Sequence, residues 1–557
     1  MTGQAEKWCA RLSAVEARCH RRWAWLAKSV NGALAAIIAG LACPSSVTAA
    51  EVTLRMKGGD LDVVGELVSF NGLKYTISAP SFGTMTFDAS RFDCLGADCS
   101  RLTLAPALPP ERLDPAAPGL VTVRGSALVG SGLMPSLIRG YAATLGATMT
   151  QIVGTSPGET KFRLGDAGGG ELATIVIQKE AVGNAFAALQ QSPDAIVISD
   201  RTIADQEAVQ LGEAAARIHT PDSEHVLAED ALAVVVSPEN AAVSMAEDAI
   251  ANVFSGKTKD WFDLGVSGGT INIYTMAPSS EIQSVFANVI LKPRGQEQTG
   301  QVHIVETEGD VADAVARDPN GIGVTSLAFL RNAKPLNLEG SCGLITKPSS
   351  FTVKSGEYPL RRRLYVYNAR TLDQPAARGL LRYALSKESQ AGIAANQFVD
   401  RTVETLNLED QKGRMAYAAN APAPVFDGDQ MKNLLNDVKG ARRLSISFRY
   451  VAGTPDLDAL SRENIARLSA VLQGPEFAGK KVMLIGFTDV AGRFQANLSL
   501  SQKRAQQIRT AVLAGSGGHV NVAGIEVRGY GPLAPVACSD TDEGVRLNRR
   551  VEVWVHD

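Results

Sequence analysis

Short apolar stretches that end at turn-forming Gly or Asn residues dominate positions 51–105. Examples are VTLRM, LDVVGELVSF, YTIS and TMTF, in which apolar and polar residues tend to alternate. A two-residue alternation broken by turn residues is typical of β-strands. We therefore predict a small β module over 51–105. The Pro- and Ala-rich stretch 106–118 that follows is predicted to be a semi-rigid linker.

Residues 119–400 show a different pattern, in which β-branched runs alternate with amphipathic helical stretches. LVTVRG, ATIVIQ and AIVIS read as strands, and Leu133–Leu145 and Asn184–Leu189 read as helices. INIYTM, VHIVE, GIGVTS and RRRLYVYN continue the pattern in a second half. This alternation predicts an α/β domain with largely parallel strands. Its size favours two lobes with a cleft between them, where small ligands generally bind.

The C-terminal part begins with a polar, partly helical stretch, 401–440, which we interpret as a connector. A compact α/β unit is predicted over 441–557. LSISFRY, KVMLIGF and VEVWV have the apolar runs of strands, and 457–472 and 497–513 have the apolar periodicity of helices.

The first fifty residues differ from the rest. Basic residues precede the apolar run GALAAIIAGLA, which is too short to span a bilayer. Small residues follow in SSVTAA. We interpret 1–50 as an export signal cleaved after Ala49 or Ala50. The alternative is an uncleaved amphipathic anchor.

Four cysteines follow the predicted signal, and an exported chain meets an oxidising compartment in which thiols tend to pair. Cys94 and Cys99 flank the short turn LGAD and are predicted to close a small loop. Cys342 and Cys538 either pair across domains or are both free. No Cys-x-x-Cys pair or His cluster suggests a metal site.

Composition narrows the class of protein. A chain of 557 residues is long enough for three or four domains. Its net charge is −3 without a basic block, which argues against nucleic-acid binding. GTSPG lacks the following helix of a nucleophile elbow, and SGKTKD lacks the leading glycine of a phosphate loop. We therefore predict neither an enzyme nor a cofactor.

Two spaced motifs near the C-terminus resemble those of the OmpA-like peptidoglycan-binding family. The first is Thr-Asp, ten residues, Leu-Ser, two residues and Arg-Ala, with an Asn three positions before the Leu. The second is the closing GYG…NRRVE. In this chain the first motif comprises Thr488, Asp489, Asn497, Leu500, Ser501, Arg504 and Ala505.

The resemblance implies recognition of diaminopimelate in a peptidoglycan stem peptide, which carries an ammonium and a carboxylate on one carbon. Asp489 would take the ammonium, and Arg504 would hold the carboxylate with two charge-assisted hydrogen bonds. Thr488, Asn497 and Asn548 are the further expected pocket residues. The alternative is that Asp489 and Arg504 form an ordinary surface ion pair.

The middle region resembles the periplasmic phosphate-binding protein family, with a type 2 solute-binding fold. VRGSALVGSGLMPSLIRGYA, PDAIVISDRTI, AEDALAVVVSPENAAVSMAEDAIANVFSGKTKDWFDLG and DPNGIGVTSLAFL are the stretches on which the resemblance depends. It implies that amides, hydroxyls and an arginine hold a small oxyanion. The expected oxyanion-binding residues are Ser126, Ser199, Asp200, Arg201, Ser279 and Ser280.

One stretch departs from that family. YTMAPSSEIQSVF lacks the usual Arg and Gly-Ser-Gly-Thr, and Glu281 adds a negative charge. Fewer donors and an added acid weaken binding of a doubly charged anion.

The leading hypothesis is therefore a periplasmic solute-binding protein for phosphate or a related oxyanion, anchored non-covalently to peptidoglycan. A transporter or another envelope partner is expected beside the cell wall, with association to the outer membrane. The alternative is a structural envelope protein whose solute-binding fold has lost its ligand and binds a protein partner.

Overall fold

The computed structural model describes residues 51–56, 62–70, 74–79, 83–88, 92–96, 113–192, 194–212, 215, 218–219, 223–369, 372–419, 426–450, 457–477, 479–516 and 524–556. The chain divides into two compact units, Met1–Glu51 and Val52–Asp557, and the architecture below concerns the second. The predicted export signal and Cys99 lie outside the described residues.

The described strands are numbered in chain order. They are β1 Glu51–Met56, β2 Asp62–Phe70, β3 Lys74–Ala79, β4 Gly83–Asp88, β5 Phe92–Leu95, β6 Gly119–Gly125, β7 Thr148–Val153, β8 Glu159–Gly165, β9 Glu171–Lys179, β10 Ile196–Ser199, β11 Glu224–Val236, β12 Ser244–Ala246, β13 Asn272–Thr275, β14 His303–Ile304, β15 Gly321–Ser326, β16 Lys334–Pro335, β17 Asn337–Glu339, β18 Ile345–Thr346, β19 Arg361–Asn368, β20 Thr405–Asn407, β21 Ala441–Arg449, β22 Lys481–Gly486, β23 Ile525–Gly529 and β24 Arg550–His556.

The described α-helices are numbered in the same way. They are α1 Ala127–Gly132, α2 Met134–Thr144, α3 Val182–Leu189, α4 Asp205–Val209, α5 Glu247–Phe254, α6 Glu281–Phe286, α7 Glu308–Arg317, α8 Ser350–Lys354, α9 Pro375–Ala384, α10 Gln390–Ala395, α11 Lys412–Ala419, α12 Gly428–Val438, α13 Ala459–Leu472, α14 Phe494–Gly515 and α15 Asp542–Asn548. Short 3₁₀ or π turns connect several of them, as at Trp261–Leu264 and Ala287–Leu291.

The N-terminal module is a five-stranded sheet in the order β4-β3-β2-β1-β5. Its small core contains Val52, Leu54, Val63, Tyr75 and Phe92, at the alternate positions that the sequence pattern indicated. Cys94 on β5 is disulfide-bonded.

The middle region has two lobes around one long sheet, ordered β14-β13-β15-β11-β19-β10-β6-β9-β8-β7 with β16 beside β11. One core lies on the β6–β10 side, with α2, α9 and α10, and a second lies on the β11–β15 side, with α5 and α6. The expectation of largely parallel strands is wrong in part. β6 pairs in parallel with β9 and β10, whereas the central β11 and β19 pair antiparallel with their neighbours.

Strands β11 and β19 join the two lobes. The first half of the thirteen-residue β11 pairs with β19, and its second half pairs with β15 of the second lobe. Asp230 and Arg362 lie opposite each other in this antiparallel pair. Two adjacent strands that belong to both lobes form the natural place for a hinge.

The C-terminal domain is a five-stranded sheet in the order β20-β21-β24-β22-β23, covered by α13 and α14 on one face. Much of the stretch expected to be a connector, 401–440, packs within this domain where the structure describes it. Its β20 pairs with β21, and Met415, Met431 and Leu434 pack against Trp554 in a second core. The polar faces of these short helices concealed the apolar positions that make this contact.

A disulfide and buried ion pairs attach the second lobe to the C-terminal domain. Cys342 is bonded to Cys538, which settles the two alternatives left open by the sequence in favour of pairing across domains. Close by in the chain, Lys354 is 2% exposed and lies 3.0 Å from Asp400 and 2.7 Å from Glu404.

A buried carboxylate lies at the centre of the C-terminal sheet. Glu552 is fully buried and is contacted by Arg414, Arg443 and Arg550. Burial alone would raise the pKa of Glu552, but the charges of these arginines hold it well below the usual range. Arg443 also pairs with Glu357 of the middle domain, so this network extends across the junction.

Of the described helices, not one combines the length and the apolar character needed to cross a membrane.

Removing the Cys342–Cys538 disulfide is expected to destabilise the protein. The Cys342→Ser/Cys538→Ser double variant should lose about 2–4 kcal/mol of unfolding free energy, because the cross-link restricts the unfolded chain. Urea denaturation measures the difference, with Ser341→Ala in the same loop as the control. Equal stability of double variant and wild type would contradict the prediction.

Glu552→Gln is expected to cost about 3–5 kcal/mol at neutral pH, because three arginines, two of them fully buried, lose their shared counter-charge. The pKa of Glu552 is lower in the folded than in the unfolded state. Its stabilisation is therefore full above the unfolded pKa of about 4.3 and is lost as the pH falls through the folded value.

Urea denaturation at several pH values tests this dependence. The difference between wild type and Glu552→Gln should shrink only under acid conditions. The matched control is Glu409→Gln, because Glu409 is 71% exposed in an i,i+3 pair with Lys412 and should matter little. A difference between wild type and Glu552→Gln that does not change with pH would show that the charge is not responsible.

Candidate functional site

The first wall of the cleft forms where β6 and β10 end side by side. Gly125 pairs with Ile198, and a Cβ on Gly125 would lie 2.2 Å from the Ile198 carbonyl oxygen. With a φ of +125°, this position requires glycine. The next residue, Ser126, is buried, and its Oγ accepts a hydrogen bond of 3.4 Å from the Val129 amide at the start of α1. Ser126 therefore lies at the predicted place but uses its hydroxyl as a helix cap.

The turn after β10 holds three of the predicted residues. The Ser199 hydroxyl is buried and donates to the Arg201 carbonyl at 2.6 Å, so it stabilises the turn. Asp200 is 7% exposed, and its Oδ1 has no hydrogen-bond partner among the described residues. The Arg201 guanidinium makes two hydrogen bonds of 2.7 Å to Glu207. That pairing raises the pKa of Arg201 and lowers the pKa of Glu207.

The second wall is the start of α6. Ser279 is exposed, whereas the Oγ of Ser280 is buried without a partner among the described residues. Glu281 follows, and its pKa is raised by burial and by the charge of Asp200 on the opposite lobe. Asp200 and Glu281 therefore lie close enough across the cleft for their charges to interact.

Arg362 on β19 lies near enough to Asp200 and Glu281 for their charges to interact. Its Nε donates to Asp230 at 2.8 Å, and its Nη2 donates to Glu308 at 3.0 Å. Ser326 completes the group by donating to Asp230 at 2.6 Å. Burial opposes the charged form, but Glu308 and Asp230 outweigh it and raise the pKa of Arg362. Arg362 is thus already neutralised by two carboxylates.

The charged side chains at this site act on one another, and they include more carboxylates than arginines. The two guanidiniums are Arg201 and Arg362. The five carboxylates are Asp200, Glu207, Asp230, Glu281 and Glu308. Since both guanidiniums are paired within the protein, the cleft offers a dianion less positive charge than its two arginines suggest.

The second candidate site lies where β22 ends. Thr488 is held by hydrogen bonds from its amide to the Gly531 carbonyl and from its hydroxyl to the Asp489 carbonyl. Asp489 is 6% exposed; its Oδ1 accepts from the Ala491 amide at 2.8 Å, and its Oδ2 pairs with Arg549. The sequence had not singled out Arg549.

Arg504 of α14 lies near this carboxylate without an ion pair to it within the described part of the chain. Its guanidinium is 4.9 Å from the centre of the Tyr450 ring, and its Nη1 is buried with no hydrogen-bond partner. Burial lowers the pKa of Arg504, and nearby Arg549 adds to the effect, while Asp489 opposes it. The alternative interpretation, an ordinary surface ion pair between Asp489 and Arg504, is not seen among the described residues, where Asp489 pairs with Arg549 instead.

The two predicted asparagines hold loops. Asn497 donates to the Ala491 carbonyl at 2.9 Å and so positions the turn after Asp489. Asn548 is 1% exposed; its Oδ1 accepts from the Val536 amide at 2.9 Å and its Nδ2 donates to the Ala537 carbonyl at 2.7 Å. Both the oxygen and the nitrogen of the Asn548 amide therefore form hydrogen bonds to that loop.

Sequence reasoning missed Arg549, Glu207 and Arg362 as parts of the two sites. The only available signal was for Arg362, because three consecutive arginines at the start of an apolar strand indicate buried ion pairs. Arg550, the neighbour of Arg549, is fully buried beside Glu552 and Phe487. Among the described residues, no group of three or more His, Cys, Asp or Glu side chains could hold a metal ion.

Comparisons with known proteins match two parts of the chain. The model described as "PBP superfamily domain" matches residues 141–388, and the model described as "OmpA family" matches residues 449–549.

The chain is also similar to curated proteins and to solved structures. Phosphate-binding protein PstS of Borreliella burgdorferi is 24% identical over 209 residues, which are 37% of this chain and 71% of the relative. Probable lipoprotein YiaD of Escherichia coli is 37% identical over 78 residues, 14% of this chain, so the chain spans about a third of that relative, 34% of its length. The crystal structure of PstS from Borrelia burgdorferi aligns with a TM-score of 0.35 at 18% identity, over 51% of this chain and 98% of that one.

The predicted resemblances are thus confirmed for both regions, and the chain contains a domain of the PBP superfamily followed by a domain of the OmpA family.

Proposed function

We propose that this chain is an envelope protein that its C-terminal domain attaches non-covalently to peptidoglycan in the periplasm, near the outer membrane. The observation that supports this function best is the unpaired Nη1 of Arg504 beside an ordered carboxylate, Asp489. A buried guanidinium N–H without an acceptor is costly, and a ligand carboxylate removes that cost. Asp489 then meets the ligand's ammonium, which shares or replaces the contact to Arg549.

The two-lobed domain is proposed to be a solute-binding domain, with phosphate or a related oxyanion as the first candidate. The names of the relatives and the unpartnered Oδ1 of Asp200 support this candidate, since that oxygen can accept a proton from a protonated phosphate. A transporter that receives the solute would then be a partner.

The second candidate is a domain that no longer binds phosphate and contacts an envelope partner instead. The pairing of Arg201 with Glu207 and the position of Glu281 opposite Asp200 favour it. Both features reduce the net attraction for a dianion.

Arg504→Ala and Asp489→Ala are each expected to weaken binding to purified peptidoglycan at least tenfold, about 1.4 kcal/mol or more, because each removes one half of a zwitterion clamp. Co-sedimentation with peptidoglycan sacculi measures the bound fraction. Lys503→Ala is the matched control, because Lys503 is the exposed neighbour of Arg504 on the same helix. Unchanged sedimentation of both variants would overturn the proposed attachment.

Phosphate in the cleft is expected to raise the thermal stability of the protein, and Arg201→Ala is expected to abolish that gain. Glu281→Gln removes a carboxylate opposite Asp200 and should strengthen phosphate binding by about tenfold. Thermal unfolding at increasing phosphate and sulfate concentrations measures both effects. The exposed Glu239→Gln on the same lobe is the control.

If millimolar phosphate or sulfate stabilises neither the wild type nor Glu281→Gln, the phosphate candidate fails and the second candidate remains.

A further inference from the structure

A cavity of about 900 Å³ lies between the first lobe and the C-terminal domain. The first lobe lines it with the segment that joins α9 to α10, including Leu385, and the C-terminal domain lines it with residues of β20, β21, β24 and α13. Among the described residues, this lining shares no member with either site described above. The volume lies within the range of small-molecule pockets.

One face of the C-terminal sheet forms an apolar floor. Leu444 lies two residues after Arg442 on β21, and Val555 of β24 is paired directly with Arg442. Alternate residues of a strand and directly paired residues of neighbouring strands share a face, so these three side chains point to the same side. Leu444 and Val555 are buried in the domain core, and Phe477, which also lines the cavity, packs against that core.

One face of α13 forms a wall of the cavity. The residues of this face are spaced three or four positions apart and are Glu463, Ala466, Arg467, Ala470 and Val471. Ala466 and Ala470 are exposed. Because alanine has no side chain beyond its Cβ, the space in front of this face is left open.

Basic side chains predominate in the lining. Its two acidic residues are Glu463 and Glu476, and its five basic residues are Lys387, Arg401, Arg442, Arg467 and Lys480. All five basic residues are at least partly exposed. Glu463 is already paired with Arg401. The lining therefore carries three more basic than acidic side chains.

Two carboxylates behind the lining also act on its guanidiniums. Glu229 favours the charged forms of Arg401 and Arg467, and Asp400 acts on Arg467 in the same way. Each of them has another cation close by, since Asp400 lies 3.0 Å from Lys354 and Glu229 lies 3.9 Å from Arg363. These two carboxylates therefore do not cancel the basic excess of the cavity.

Arg467 is the basic residue best placed to meet a ligand. It lies on α13 between the two exposed alanines, and its Nη2 donates to the Thr402 carbonyl at 3.0 Å. In the part of the chain that the structure describes, its guanidinium forms no ion pair. Burial lowers the pKa of Arg467, while Glu229 and Asp400 oppose that effect. A ligand carboxylate would supply the direct counter-charge.

We propose that a fatty acid, a carboxylate with a single apolar chain, binds in this cavity. Its chain covers the floor of Leu444, Val555 and Phe477, and its carboxylate pairs with Arg467. An apolar lining with a few charged groups is typical of small-molecule sites, and the basic excess favours an anionic head. Because both domains line the cavity, the bound fatty acid joins the first lobe to the C-terminal domain.

Calorimetric titration of the full chain with laurate, below its micellar concentration, tests the site. Saturable binding of one laurate is expected. Dodecyltrimethylammonium has the same chain with a positive head and should bind at least about tenfold more weakly. From octanoate to laurate, the affinity should rise about fourfold with each CH₂ group, because each one leaves water. Binding that is not saturable, or that ignores head charge or chain length, would overturn the proposal.

Two variants locate the binding. Ala470→Trp places a large side chain in the cavity and should abolish laurate binding. Because Ala470 is exposed, the fold should persist, which circular dichroism checks. Arg467→Gln should weaken laurate binding by about tenfold without weakening the binding of dodecyltrimethylammonium. Arg462→Gln is the matched control, because Arg462 is exposed on the same helix and is not part of the lining.

Two further variants separate this binding from the functions proposed above. Arg201→Ala in the cleft and Arg504→Ala in the C-terminal pocket should bind laurate as the wild type does. Laurate binding that persists in Ala470→Trp, or that is lost in Arg201→Ala or Arg504→Ala, would place the ligand elsewhere and overturn the proposal. An equal loss in Arg462→Gln and Arg467→Gln would do the same, because it would reflect net charge alone.

Discussion

The ion pair between Asp230 and Arg362 ties the two crossing strands together. Arg362 is buried, so it requires a counter-charge, and Asp230 and Glu308 supply it from both sides. On the first lobe the half-buried Arg201 is paired with Glu207. Neutralising its arginines internally gives the cleft an excess of carboxylates. A likeness of fold to phosphate-binding proteins therefore does not by itself carry over to a likeness of ligand.

In the C-terminal domain, too, buried arginines need a counter-charge. Glu552 is paired with three arginines at the centre of the sheet, two of them fully buried, and that network reaches the middle domain through Glu357. Arg504, by contrast, keeps a buried N–H without an acceptor next to an ordered carboxylate. Under the proposed attachment, a ligand carboxylate supplies the acceptor that this N–H lacks among the described residues.

Much of the fold could be predicted because it depends on local patterns. Alternation with a period of two located the N-terminal strands, and longer periods located helices such as α2 and α14, within a few residues of their ends. The spacing of Thr488, Asp489 and Arg504 identified the C-terminal family without any structure, since that motif lies within one strand, one turn and one helix. Element type and motif spacing depend on residues that are close together in the chain, so the sequence alone is enough to predict them.

By itself, then, the sequence determined the fold class and the two family resemblances, and it predicted the pair of residues suited to a zwitterion. Only the tertiary structure decided which charges meet. It assigned Arg549 to Asp489 and Glu207 to Arg201, paired Cys342 with Cys538, and placed much of 401–440 in the C-terminal domain. These contacts join residues that lie apart in the chain, and nothing in a local pattern encodes which of several available partners is near enough. The free energy of a buried charge depends on that nearest partner, so the chemistry of each site is settled only when the chain has folded.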